Sequence, residues 1–412
     1  VRQEVQVANI PVFQFTIFYG LLMEVSCGQP FNVLGRVHSN QELYACPDSA
    51  LTFVSDVTAV GNIFFSRAPG DNRSPPAGSV TYQGKRDGKV AALSLPIGTN
   101  NSPDAVHAIL EVPPLLEDPT SPMGKARYYN KADLILVVSN NTVTAKGGLF
   151  SNFALTVPPG EVSSFVSTNA TFLDTRENKT VLPIDVNIGN LRTWSQTNLS
   201  VRGLLGRDVR LVHVVDCRTP PAGNLGAVRL VNGATLPAQG LTVATERPIY
   251  VEGHFNAPDA TQRGTTNTAA TLPASLIGDS ITILSTAWDD ASSSAPVANR
   301  IAANTTVNAA FLAGIVETKT FNNYSGGVEN FPRFLETWGN SRTFTYNGSM
   351  VVMYPSRYAT NRWGLGNVYS PPNRNWSFDM NFTDSAKLPP GTPELRTLIR
   401  SQWAIVPAGT KT

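Results

Sequence analysis

Charge is scarce in this sequence. Only 15% of its 412 residues are Asp, Glu, Lys or Arg, against about a quarter in an ordinary soluble domain. The two signs nearly cancel, leaving a net charge of +2, and no basic run exceeds two residues. Nucleic acid and anionic membranes both demand a concentrated positive face. The sequence offers no footprint for either. Cysteine is also rare: Cys27, Cys46 and Cys217 fit no zinc-binding spacing. Two readings stay open for Cys27 and Cys46, a disulfide closing a loop of 20 residues or a pair of free buried thiols. The four histidines show no metal spacing, and His38 and His254 read as hydrogen-bonded structural residues. No apolar run reaches the roughly 18 residues that a transmembrane helix needs. A phosphate loop and a Gly-x-Ser-x-Gly nucleophile elbow are both missing. The chain opens on Val1 and shows no signal peptide, so a processed or partial chain is expected.

Asn, Thr and Ser replace the missing charge, together with 32 Gly and 30 Pro. Such a mixture disfavours long helices and suits short strands joined by turns. We therefore expect an all-β chain. Eleven Asn-x-Ser/Thr sequons and the polar, weakly charged composition suit an extracellular or cell-surface location. Residues 37–45 (VHSNQELYA), 57–65 (VTAVGNIFF) and 243–251 (VATERPIYV) share a pattern: Val, a small residue two places on, a polar or turn-forming trio, then mostly apolar residues. The first two copies stand 20 residues apart. A short strand, a corner and another strand at that spacing predict β-solenoid or β-helix-like stacking, with irregular loops between coils.

Three regions follow from this reading. Residues 1–30 form an N-terminal segment, a helix end followed, after Pro11, by a strand at 12–18. Residues 31–220 are a first β-rich region holding the adjacent repeats, an exposed loop at 67–76, an apolar strand at 134–138 and helix candidates around 187–201. Residues 221–412 are a second β-rich region with an aromatic-rich end. The stretch 392–403 (TPELRTLIRSQW) predicts a short C-terminal capping helix.

Several phrases resemble the exported region of PilX-type type IV pilus assembly proteins, a bacterial family defined by a pilin-like N-terminal segment. They are 13–19 (FQFTIFY), 35–40 (GRVHSN), 57–59 with 61–63 (VTA, GNI), 278–285 (GDSITILS), 309–316 (AAFLAGIV), 326–335 (GGVENFPRFL) and 346–350 (YNGSM). The resemblance is scattered over most of the chain and contains no active-site signature. It implies a component of a surface filament. The apolar pilin helix of that family is missing here, so the resemblance alone does not imply incorporation into a pilus.

The expected function is accordingly that of an exported structural or adhesive component of a bacterial surface filament, with no catalytic residue and no required cofactor. Its partners would be other subunits of the same assembly, and glycans are a further possibility. A carbohydrate-active enzyme or glycan-binding module on a β-helix is the alternative, and would need clustered carboxylates along a groove. Asp279, Asp289 and Asp290 are candidate Ca²⁺ ligands, because that ion collects several oxygen donors; a solvated turn is the competing reading. Tyr354, Arg357, Tyr358, Arg362, Trp363 and Trp376 form the densest aromatic–cation stretch, suited to stacking on sugars, receiving a partner or packing as an end-cap. Val12, Phe13, Phe15 and Ile17 alternate as an assembly strand, which either completes a neighbour's sheet or pairs within its own chain.

Overall fold

A computed structural model describes residues 2–148, 156–364 and 367–404. Short β-branched and aromatic runs form its strands, as their fit to a pleated, half-buried surface dictates. Ile17–Tyr19, Val37–Ser39, Val57–Ala59 and Arg86–Gly88 lie side by side in parallel, with Ile17, Val37 and Val57 in one column. The next strands along the chain, Met23–Val25, Leu43–Ala45 and Ile63–Phe64, make a second parallel set that aligns Met23, Leu43 and Ile63. Phe31–Val33, Ala50–Phe53 and Ser79–Tyr82 make a third. The 20-residue spacing of the two adjacent repeats is thus a strand register.

On the other side of Ile17–Tyr19 the first of these sheets continues through distant parts of the chain. Met350–Val352, Ala310–Ala313, Ala274–Gly278, Leu241–Thr245, Leu211–Asp216 and Leu134–Val138 follow in parallel. Val143–Lys146 and Thr156–Val157 complete its 12 strands in antiparallel pairing. A second sheet of seven strands includes Lys179–Asn187, Asn224–Val231, Ile249–Glu252 and Ile281–Leu284. The third repeat copy therefore places one strand in each large sheet. The long sheet takes strands from all three regions delimited in the sequence.

The all-β, solenoid-like expectation is corrected: this is a mixed α/β architecture. Helices Pro103–His107, Pro122–Ala126, Tyr128–Lys131, Pro159–Val162, Ile188–Thr197, Leu199–Leu205 and Thr318–Phe321 occupy its connections. Parallel and antiparallel pairings mix in both large sheets. The physical reason is uneven connection length. Only the segment from Ile17 to Phe64 keeps the 20-residue step, whereas the crossover from Val138 to Leu211 holds further strands and three helices. The helix candidate at 187–201 is present as two helices, each capped by an asparagine whose side chain accepts a backbone N–H, Asn187 from Asn190 and Asn198 from Val201. The expected capping helix is instead strand Glu394–Ala404, and the expected helix end near the N-terminus is strand Arg2–Pro11. These two pair antiparallel as a separate ribbon, from Arg2 opposite Ala404 to Pro11 opposite Glu394.

The long sheet is covered on both faces, which explains why Leu134–Val138 and Ala310–Ala313 read as continuous apolar runs rather than alternating ones. Ile17, Val37, Leu136, Val214, Val243 and Phe311 face one core, shared with Val228, Val251 and Ile283 of the second sheet. Phe18, Ile135, Ala244 and Leu312 face the other, closed by Val12, Phe13, Ile109, Leu110, Tyr128 and Leu395. Among the described residues, no helix is long and apolar enough to cross a membrane.

Candidate functional site

One buried polar cluster was not visible in the sequence. Glu24 sits mid-strand in Met23–Val25 with only 6% of its surface exposed, beneath the segment that carries Thr318, Tyr324 and Glu329. The Thr318 hydroxyl donates to Glu24 Oε2, and Oε1 is buried without a partner. Glu329 accepts from the Ser26 backbone N–H at 3.1 Å and from the Tyr324 hydroxyl at 2.5 Å. Arg73 lies over the Tyr324 ring, 3.4 Å from its centroid, donates to Ser26 Oγ at 2.6 Å and pairs with Asp71 at 2.7 Å. Burial is the main force raising the Glu24 carboxyl to about 7; the Thr318 hydrogen bond opposes it, while Asp71 and Glu329 add to it. A buried acid that titrates near neutrality is a possible proton donor in chemical terms. The cavity beside it, however, measures only about 20 Å³, close to the room that a single water needs. A sugar ring does not fit there. The cluster ties the N-terminal ladder to residues about 300 positions away, a separation that leaves no local sequence signal.

The calcium candidates do not come together. Asp279 is fully buried and accepts the backbone N–H groups of Arg357, Tyr358 and Ala359, at 2.5, 3.2 and 2.9 Å. Asp290 pairs with Arg229 at 2.7 Å and accepts from Trp288 Nε1, while Asp289 accepts from the Ala291 backbone and the Ser292 hydroxyl. Both oxygens of Asp279 are occupied by the protein's own donors. Among the described residues, no group of three or more His, Cys, Asp or Glu is placed to hold a metal ion. Cys27 and Cys46 are free and buried rather than bridged, with burial as the main cause pushing each thiol up to about 12.

The aromatic–cation stretch is not one surface. Tyr354 is buried and donates its hydroxyl to Gly278 O, and Arg357 pairs with Asp104 and Glu111. Tyr358 lies under Arg247, 4.4 Å from ring centroid to guanidinium. Trp363 donates to the Tyr369 hydroxyl, Arg362 is half-buried, and Trp376 packs among Phe31, Phe344 and Tyr346. Packing, rather than a shared sugar-binding face, accounts for these contacts.

Val12, Phe13, Phe15 and Ile17 are likewise internal, each at most 5% exposed. Val12–Gln14 is a short 3₁₀ turn rather than strand, and Ile17–Tyr19 is held on both sides by strands of its own chain. Open strand edges are also found just upstream, in Arg2–Pro11, and late in the chain, in Glu394–Ala404, on the terminal ribbon. Ile10 and Leu395 anchor its root against the core. A single antiparallel bridge, Ser94 with Arg396, braces the root from one side. Farther out, Arg2–Pro11 and Glu394–Ala404 pair only with each other among the described residues, so both outer edges are open. Val7 and Leu398 stand opposite one another on this ribbon and are 64% and 65% exposed. The sequence signal for that pair was limited to Val5 and Val7 at alternate positions, and the helix-like spacing of Leu395, Leu398 and Ile399 hid the partner strand.

No family model, curated protein or solved structure matches the chain.

Proposed function

We propose that this chain is an exported structural or adhesive component of a bacterial surface assembly, working by association with other subunits. The observation that supports it is the terminal ribbon, with two open strand edges and an exposed apolar pair at Val7 and Leu398. Unpaired backbone N–H and C=O groups along an edge are a template for a further strand, and apolar side chains add burial to that pairing. The low charge reduces repulsion between copies, and the resemblance to PilX-type proteins agrees in kind. The test is sedimentation of the full chain over a wide concentration range, beside a Val7→Asp, Leu398→Asp double variant. The native chain should self-associate as concentration rises. The variant should stay monomeric and keep its melting temperature, since neither side chain contributes to the core. A native chain that stays monomeric throughout, or a variant that associates equally, overturns the proposal.

A further inference from the structure

Beside the root of the ribbon lies a cavity of about 410 Å³, between the segment around Ile97, the helices Pro122–Ala126 and Tyr128–Lys131, and the start of Glu394–Ala404. That volume is in the range of small-molecule sites, roughly 300–1,000 Å³. Its floor is apolar and firm: Ile97 and Ile109 are each 1% exposed. The charged lining is unbalanced. Lys125, Lys131 and Arg396 are set against a single carboxylate, Glu394, which already accepts a hydrogen bond from Asn9 Nδ2 at 3.0 Å.

Lys131 is the informative member. Its side chain is half-buried, and the Tyr128 ring lies beneath Nζ with its centroid 5.1 Å away. Among the described residues, no hydrogen bond or ion pair reaches that Nζ. An ammonium withdrawn from water without an anion is costly, and buried charges are normally paired. The ring face offsets part of that cost, but it supplies no acceptor for the three N–H groups. What Lys131 Nζ lacks is an anion within hydrogen-bonding reach, Glu394 acting on it only from a distance, and what the cavity floor accommodates is a hydrocarbon.

We propose that this cavity is a binding site for a small amphiphilic carboxylate, its chain on the Ile97–Ile109 floor and its carboxylate at Lys131, with Lys125 and Arg396 adding positive potential at the mouth. A phosphate-sized ion leaves the apolar floor unfilled, and a neutral chain leaves Lys131 unpaired. The carboxylate with an attached apolar chain satisfies both.

Calorimetric titration of the full chain with octanoate, octanol and octylammonium tests this. Octanoate should bind at least about tenfold more tightly than octanol, and octylammonium should not bind. Lys131→Met should abolish the advantage of octanoate over octanol. The native chain provides a second reading, independent of whether that variant folds. Burial is the main cause lowering the Lys131 ammonium to about 8, against the opposing charge of Glu394. Octanoate affinity should therefore decline steadily as pH is raised from about 7 to about 10, as Lys131 loses its proton. Lys125, Arg396, Glu394 and the Tyr128 hydroxyl also face or flank the site, so the decline must vanish in Lys131→Met to be assigned to Lys131. Equal binding of octanoate and octanol, a pH-independent affinity, or a folded Lys131→Met chain that keeps the preference would each overturn the proposal.

Discussion

Burial of Glu24 under the segment carrying Thr318 and Glu329 makes a single carboxyl group a determinant of how stability varies with pH. Its folded value is about 7 against an ordinary 4.5. Below pH 4.5 both folded and unfolded states hold the proton. Between 4.5 and 7 only the folded state keeps it, so that stabilisation is lost as pH rises through the window. The shift corresponds to a loss of about 3 kcal/mol at most. Glu24→Gln keeps the shape without the ionisation. It should flatten the decline and make the variant the more stable protein above neutrality, as urea denaturation at acidic and alkaline pH would read. An unchanged decline in the variant would assign it to another group. A few asparagines serve as buried amide donors and acceptors. Asn256 and Asn308 exchange side-chain-to-backbone hydrogen bonds at 2.9 Å, and Asn347 donates to Asn308 Oδ1 at 2.8 Å. A ladder of such amides satisfies buried backbone groups that charge would satisfy less cheaply.

Strand elements were legible where side-chain period and repeat spacing agreed. In 37–45 and 57–65 the same residue types recur after 20 positions, and the structure pairs Val37 with Val57 and Leu43 with Ile63. Val57 is wholly buried in that column, so Val57→Asp should cost several kcal/mol, about the penalty of an unpaired buried charge. Chemical denaturation would read it, and an unchanged midpoint would mean that the column does not bear on stability. The failures have equally local causes. Leu395, Leu398 and Ile399 have helical spacing, but that stretch gained a partner strand from the opposite end of the chain, and tertiary pairing outweighs a weak propensity. The metal candidates are not brought together among the described residues; sequence shows a carboxylate such as Asp279 but not the three backbone N–H groups that occupy it. Glu24, Tyr324 and Arg73 carried no signal, being joined only by folding. Truncation separates the two N-terminal elements. Removing residues 1–9 takes away ribbon and should leave a cooperative melting transition. Removing residues 1–20 also takes Val12, Phe13, Phe15 and Ile17 from the core, and should abolish that transition in circular dichroism. A cooperative transition in the longer deletion would show that these residues are dispensable to the fold.

At the scale of the whole molecule, order in space departs from order in sequence. Ile17–Tyr19 lies between Val37–Ser39, which follows it closely, and Met350–Val352, more than 300 residues later. The ladder of the long sheet is completed only when the last third of the chain meets the first strands. Such non-local pairing slows folding, since loop closure precedes any compensating contact. It also brings Arg2–Pro11 and Glu394–Ala404 to one place, where the ribbon emerges. Consider what happens when the chain is placed under tension. A load applied between Arg2 and Ala404 falls on the outermost pair of the ribbon, and the hydrogen bonds of that pair are perpendicular to the strands. They are peeled apart in turn rather than sheared together. The ribbon should therefore open as a separate, low-force extension before the core bears any load, acting as a compliant spring in series with a stiff body.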